Sequence, residues 1–334
     1  MENNEEKLII TEEELNKSKE ILSKLNEYYT KRMVGQQNLK VSLLTCLLAN
    51  GHILLESVPG LAKTTAAKVL CNAISGKFSR IQCTPDLLPS DIIGTQIFNY
   101  QNNEFKTKIG PIYANFVLLD EINRSSAKTQ SATLEAMQER QITIDNQLYE
   151  LPKPFIVIAT QNPIEQEGTY VLAEAQLDRF LMKVKIDYPT VLEEVEVLKR
   201  LESDVFSDES SILNLEDIKF LQDLTKKVYI DDSIKKYISQ IMLATRFPKN
   251  YIPETLANYI DMGSSTRGAI AFMECSKALA LIKGRTNVIP DDVKELSHSI
   301  LRHRLSLNFS AVADNIQVEQ IIDALIGAIQ TPWY

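Results

Sequence analysis

The chain has 334 residues, 44% hydrophobic and 24% charged, with a formal net charge of −8. Those values belong to an ordinary globular protein long enough for two domains, and the acidic balance argues against a generic nucleic-acid binder. No apolar stretch approaches the ~18 residues of a membrane span, which excludes a helical membrane protein.

The acidic start, Met1-Glu2-Asn3-Asn4-Glu5-Glu6, lacks the apolar core of a signal peptide. Thr11-Glu12-Glu13-Glu14 opens like a capping box, and Leu15, Ile21, Leu22 and Leu25 mark an amphipathic helix over 11–30. Such a helix packs on a core or serves as a docking arm. Met33-Val34-Gly35-Gln36 breaks the pattern before a helix over 37–49. Buried strands are expected at 52–56, 79–83, 116–120, 154–160 and 180–186, with helical patterns between most of them. That alternation predicts an α/β fold whose parallel sheet is covered on both faces.

Residues 95–109 and 141–151 interrupt this rhythm with apolar–polar alternation around Gln101-Asn102-Asn103 and Asp145-Asn146, which reads as two hairpins. They cover a sheet edge or act as fingers that touch a substrate. Beyond Asp187-Tyr188-Pro189 the pattern turns helical, with Leu192, Val195, Leu198 and Leu201 at helical spacing. A polar, acidic segment, 202–211, reads as a mobile loop. About five helices follow over 212–330, one opened by Pro290-Asp291-Asp292. Cys46, Cys71, Cys83 and Cys275 form no C-x-x-C pair, which fits buried free thiols in a reducing, cytoplasmic setting; His52, His298 and His303 form no ligand cluster.

Three strand ends carry the chemistry. The apolar run His52–Glu56 leads into Ser57-Val58-Pro59-Gly60-Leu61-Ala62-Lys63-Thr64-Thr65, a strand, a Gly-bearing turn and a helix opened by Lys-Thr. Backbone N–H groups of such a turn surround phosphate oxygens, Lys63 reaches the β- and γ-phosphates, and Thr64 completes a Mg²⁺ shell. Ser57 stands where G-x-x-x-x-G-K-[ST] has its first Gly, so a plain strand–turn–helix corner competes. Phe116-Val117-Leu118-Leu119-Asp120-Glu121 supplies a buried strand ending in two acids. Open α/β sheets bind ligands beyond the carboxyl ends of their strands, so Asp120 would hold Mg²⁺ and Glu121 would act as general base. Two solvated acids capping a strand are the alternative. Pro154–Pro163 ends a third strand in Asn162, placed to orient a lytic water or simply to form a turn.

Taken together these segments, over about 31–308, resemble the MoxR family of AAA+ ATPases. The resemblance rests on Arg80–Asp91, Asp120–Arg124, Thr129–Glu139, Ala159–Tyr170 and Glu174–Phe180. It implies a P-loop AAA+ αβα core with a five-stranded parallel sheet and a C-terminal all-α lid, divided as a leader helix over 1–30, a core over 31–189 and a lid over 190–334. By the same resemblance Asn162 is sensor 1, Arg179 is an arginine finger for a neighbouring subunit, and Arg267 in Gly263–Gly268 is sensor 2. Val34 and Gly35 would line the adenine pocket, and the hairpins would face the pore or upper surface of a ring, usually a hexamer. The cofactors implied are ATP and Mg²⁺. The implied partner is a protein client to be remodelled or activated, with a von Willebrand A domain protein as candidate. A nucleotide-gated assembly switch and a DNA-remodelling motor are the rival readings.

Overall fold

The structure is a computed structural model and describes residues 9–58, 61, 63–163, 170–202 and 210–332. Pro59, Gly60 and Ala62 of the expected phosphate loop lie outside the described residues, as does most of the expected acidic loop, 203–209.

In chain order the elements begin with α1 (Glu12–Arg32), α2 (Gln37–Leu48), β1 (Ile53–Glu56), α3 (Lys63–Ala73), β2 (Phe78–Gln82), α4 (Pro89–Ile93), β3 (Gly94–Asn99) and β4 (Glu104–Ile109). They continue with β5 (Phe116–Asp120), α5 (Ala127–Glu139), β6 (Gln141–Ile144), β7 (Gln147–Glu150), β8 (Ile156–Gln161), α6 (Glu174–Leu177), β9 (Met182–Lys185) and α7 (Val191–Glu202). Five strands form one sheet in the order β2-β5-β8-β1-β9. The interior strand β5 is buried along its whole length, as a strand covered on both faces must be. Each fully buried Leu or Phe there contributes about 1.5–3 kcal/mol.

The hairpins form as expected: β3 with β4, and β6 with β7. Asp145 and Asn146 both take positive φ (47° and 64°), the conformation that a tight two-residue hairpin demands. Thr11 and Glu14 close a reciprocal cap on α1, at 3.0 Å and 3.2 Å, and the helix buries Ile21, Leu22 and Leu25.

Contacts divide the chain into two compact units, residues 20–180 with 184–220, and residues 221–334 with 1–19 and 181–183. Residues 191–220 group with the first unit for a visible reason. Arg200 donates to the carbonyls of Thr30 and Lys31 at 2.8 and 2.9 Å, and Ser75 N–H donates to the Leu213 carbonyl at 2.8 Å. Compactness draws its line at 220/221.

The second unit is built of helices. They are α8 (Leu215–Lys227, whose first residues belong to the first unit), α9 (Asp232–Arg246), α10 (Glu254–Ala257), α11 (Thr266–Ile282), α12 (Pro290–Leu301), α13 (Phe309–Ala313) and α14 (Val318–Ala328). A short antiparallel pair joins β10 (Ile260–Met262) to β11 (Ser306–Leu307). Helix α11 packs on α9 and α12. Asp292, fully buried in the first turn of α12, accepts from Ile289 N–H at 3.0 Å and from both terminal nitrogens of Arg285. A buried carboxylate persists there because its charge is paired and its lone pairs are occupied.

All four cysteines are free and buried, and burial raises the pKa of Cys71, Cys83 and Cys275, Cys83 to about 12. They are inert thiols at neutral pH. His52 is also buried. Its Nδ1 accepts from Val157 N–H and its Nε2 donates to the Met137 carbonyl, both at 3.0 Å, so one neutral imidazole ties the start of β1 to β8 and α5. Burial, aided by the nearby charge of Arg140, lowers its pKa to about 3. The unfolded chain takes up this proton below pH ~6.5 while the folded chain does not, so stability falls as pH drops through that window. Between pH 7 and pH 5 the loss should be about 2 kcal/mol. Denaturant titrations at the two pH values should show it in the wild type and not in His52→Gln; equal slopes would remove His52 from this role.

Candidate active site

The strand register sets the site. Residue Glu56 of β1 pairs with Gln161 of β8, and Gln82 of β2 pairs with Asp120 of β5. The strands are parallel, so their carboxyl ends share one edge, where open α/β sheets bind ligands.

At the end of β1, Ser57 is buried and its N–H donates to the Gln161 carbonyl at 3.3 Å. Its hydroxyl turns onto the Val58 carbonyl at 3.0 Å, so the side chain in the place of the usual Gly is satisfied by its own loop. Lys63 opens α3 and its ammonium donates to the Ser57 carbonyl at 3.1 Å, which folds the lysine back over the loop. Val58, Leu61 and Thr64 are half-buried, and Thr65 is exposed.

The acids lie at the end of β5. Asp120 is buried; its Oδ1 accepts from the Thr160 hydroxyl at 2.8 Å and its Oδ2 from Arg80 at 2.6 Å. The same Thr160 oxygen accepts from Glu121 N–H at 2.9 Å. One hydroxyl of β8 thus fixes the carboxylate of one acid and the backbone of the next. Glu121 takes a left-handed conformation (φ 59°), which costs a non-glycine residue about 1 kcal/mol or more and turns the chain sharply out of the strand. Its carboxylate accepts from Arg124 at 3.0 Å and from Gln82 at 3.2 Å.

Asn162 follows β8 directly and is buried; its carbonyl faces Asn123 Nδ2 at 3.5 Å. Arg179 lies just past α6, half-buried, and its Nε has no hydrogen-bond partner among the described residues. A buried guanidinium nitrogen without an acceptor is costly unless an acceptor arrives from elsewhere. Val34 is half-buried. Gly35 has φ +63°, and a Cβ on it would run into the Glu193 carboxylate, so the turn requires glycine twice over. Gln36 then donates to the Asp187 carbonyl at 3.0 Å. Arg267 belongs to the second unit, exposed in the first turn of α11, where its N–H bonds the capping hydroxyl of Ser265 at 3.1 Å.

Among the described residues the first unit gathers Ser57, Lys63 and Thr64 from one strand–helix junction and Asp120, Glu121 and Asn162 from two neighbouring strand ends. Sequence reasoning did not single out Thr160, Arg80, Gln82 or Arg124 as parts of this cluster. Residues 79–83 are expected as a buried strand; β2 is instead an outermost strand and mostly not buried, and its pairing with β5 brings Arg80 and Gln82 to the acids.

The two residues expected to hold a metal would offer hard oxygens, a carboxylate from Asp120 and a hydroxyl from Thr64. The described residues hold no group of three or more His, Cys, Asp or Glu side chains fit to cage a metal. Such a sparse set suits Mg²⁺, which keeps several waters and takes its other ligands from phosphate. Arg80 on Asp120 Oδ2 shows that this oxygen already faces a cation.

Comparison with known proteins agrees. Residues 52–182 match the ATPase family associated with various cellular activities (AAA), and residues 254–325 match the AAA lid domain. A crystal structure of a candidate ATPase from Cytophaga hutchinsonii superposes with a TM-score of 0.90 at 44% identity, covering 96% of this chain and 98% of that one. The uncharacterized protein YeaC of Bacillus subtilis is 44% identical over 93% of this chain and 95% of its own length. Chaperone MoxR1 of Mycobacterium tuberculosis is 43% identical over 90% of this chain and 79% of its own. An AAA sheet, an AAA lid and relatives this near over most of their length place the chain in the MoxR family of AAA+ ATPases.

Proposed function

We propose that this chain hydrolyses ATP between the subunits of a ring and uses the cycle to remodel or activate a protein partner. The observation that carries the reading is the Thr160 hydroxyl, which locks Asp120 and Glu121 side by side at the strand edge that also bears the Lys63 loop. A carboxylate held at 2.8 Å and the next acid's backbone held at 2.9 Å by one hydroxyl are pre-organised, whereas strand-capping acids have no need to be.

In this reading residues 31–189 act as the ATPase core, 190–334 as the lid and 1–30 as a leader helix. The Ser57–Thr65 loop wraps the phosphates, with Lys63 on the β- and γ-phosphates and Val34 and Gly35 at the adenine. Thr64 and Asp120 hold Mg²⁺, which when bound offsets the charge of the β- and γ-phosphates. Glu121 takes a proton from the attacking water, and Asn162 orients that water. Arg179 reaches the γ-phosphate of the neighbouring subunit, while Arg267 reports the nucleotide state to the lid. The ring is a hexamer in this reading, and the hairpins β3–β4 and β6–β7 are the parts that touch the client. The name of the Mycobacterium tuberculosis relative supports a protein client; a von Willebrand A domain protein remains the candidate.

A nucleotide-gated switch with little turnover is the second reading, favoured by Gln82 and Arg124 holding the Glu121 carboxylate. Equilibrium titration with ATP tests the common ground of both. The wild type should bind, and Lys63→Ala should bind about 10- to 100-fold more weakly, the worth of charge-assisted bonds to phosphate. A wild type that binds no nucleotide would end both readings.

A further inference from the structure

We propose that Arg80 competes with the divalent cation for Oδ2 of Asp120 and so sets how much Mg²⁺ the site needs; this rests on the reading of Asp120 as a nucleotide–Mg²⁺ residue. Asp120 has two oxygens, and the Thr160 hydroxyl occupies Oδ1 at 2.8 Å. The other, Oδ2, is the one that Arg80 holds at 2.6 Å, the short contact of a charge-assisted bond. A guanidinium and a divalent cation on one carboxylate oxygen repel each other, so one must give way.

The structure shows which can move. The Asp120 side chain is only 11% exposed and is pinned by a strand on each side, whereas Arg80 is 47% exposed on the outermost strand of the sheet. A long stem at a sheet edge swings out at little cost, and a pair this exposed is weak enough to yield. Arg80 also donates to Gln82 Oε1 at 3.2 Å, and that contact offers the guanidinium a neighbour on its own strand. Arg80 is thus a positioning residue that acts through Asp120. The competing account is a plain edge-strand ion pair whose loss touches stability alone.

Binding of a fluorescent ATP analogue, titrated with MgCl₂ against full-length wild type, Arg80→Ala and Arg80→Lys, separates these accounts. In Arg80→Ala the half-saturating Mg²⁺ should fall about 2- to 5-fold, the scale of releasing a half-exposed ion pair. Analogue affinity in excess EDTA should change less than that. Arg80→Lys keeps a charge without the planar fork and should fall between wild type and Arg80→Ala. An unchanged Mg²⁺ requirement would overturn the proposal. So would a raised one, because Arg80 would then be helping to hold the cation. A wild type that binds no analogue at any Mg²⁺ concentration would instead overturn the underlying reading of the site.

Discussion

Glu121→Gln is expected to bind ATP as the wild type does and to hydrolyse it about 10²- to 10⁴-fold more slowly, the range that a positioned general base supplies. The substitution is mild everywhere except in the chemistry. An amide oxygen can still accept from Arg124 and Gln82, and the Glu121 N–H keeps its bond to Thr160. The left-handed backbone at φ 59° is no worse for Gln than for Glu. Folding and nucleotide affinity should therefore survive, which makes single-turnover hydrolysis a clean readout. A variant with full turnover would take Glu121 out of the mechanism.

Arg179→Ala should cost a similar amount by a different route. A guanidinium donated to a neighbouring γ-phosphate is worth about 10³-fold or more in turnover. Among the described residues Arg179 Nε has no partner, which fits a group that takes its acceptor from a neighbouring subunit. Because the effect is in trans, the two variants should complement. A site that keeps Glu121, formed by an Arg179→Ala subunit, regains a finger from a Glu121→Gln neighbour. Mixing the two inactive proteins should restore measurable turnover. Inactive mixtures would argue that Arg179 acts within its own subunit or not at all.

Much of this fold was legible because its signals are local. Phe116-Val117-Leu118-Leu119 is a short apolar run that only a two-sided sheet can bury, and all four residues are fully buried. Asp145-Asn146 dictates a tight turn through its own φ preference. The Lys63 junction and the acids after β5 were legible for the same reason, since each is one strand followed by its own turn. The remainder depends on pairing between distant segments. Thr160 and Arg80 each read as one more residue of an expected buried strand until β8 and β2 lie beside β5. His52 likewise gains its role only from Met137 and Val157, 85 and 105 residues away. Helix α7 shows the opposite limit. The spacing of Leu192, Val195 and Leu198 gave the helix correctly, but all three are exposed, Leu192 at 81%. Periodicity reports an apolar stripe and is silent on what covers it.

The most direct measurement is the specific ATPase activity of the wild type across protein concentration, with and without Mg²⁺. A ring with sites completed by neighbouring subunits predicts activity per subunit that rises with concentration to a plateau and vanishes without Mg²⁺. Activity per subunit that is flat with concentration, or absent throughout in a protein that binds ATP, would contradict hydrolysis at an interface between subunits.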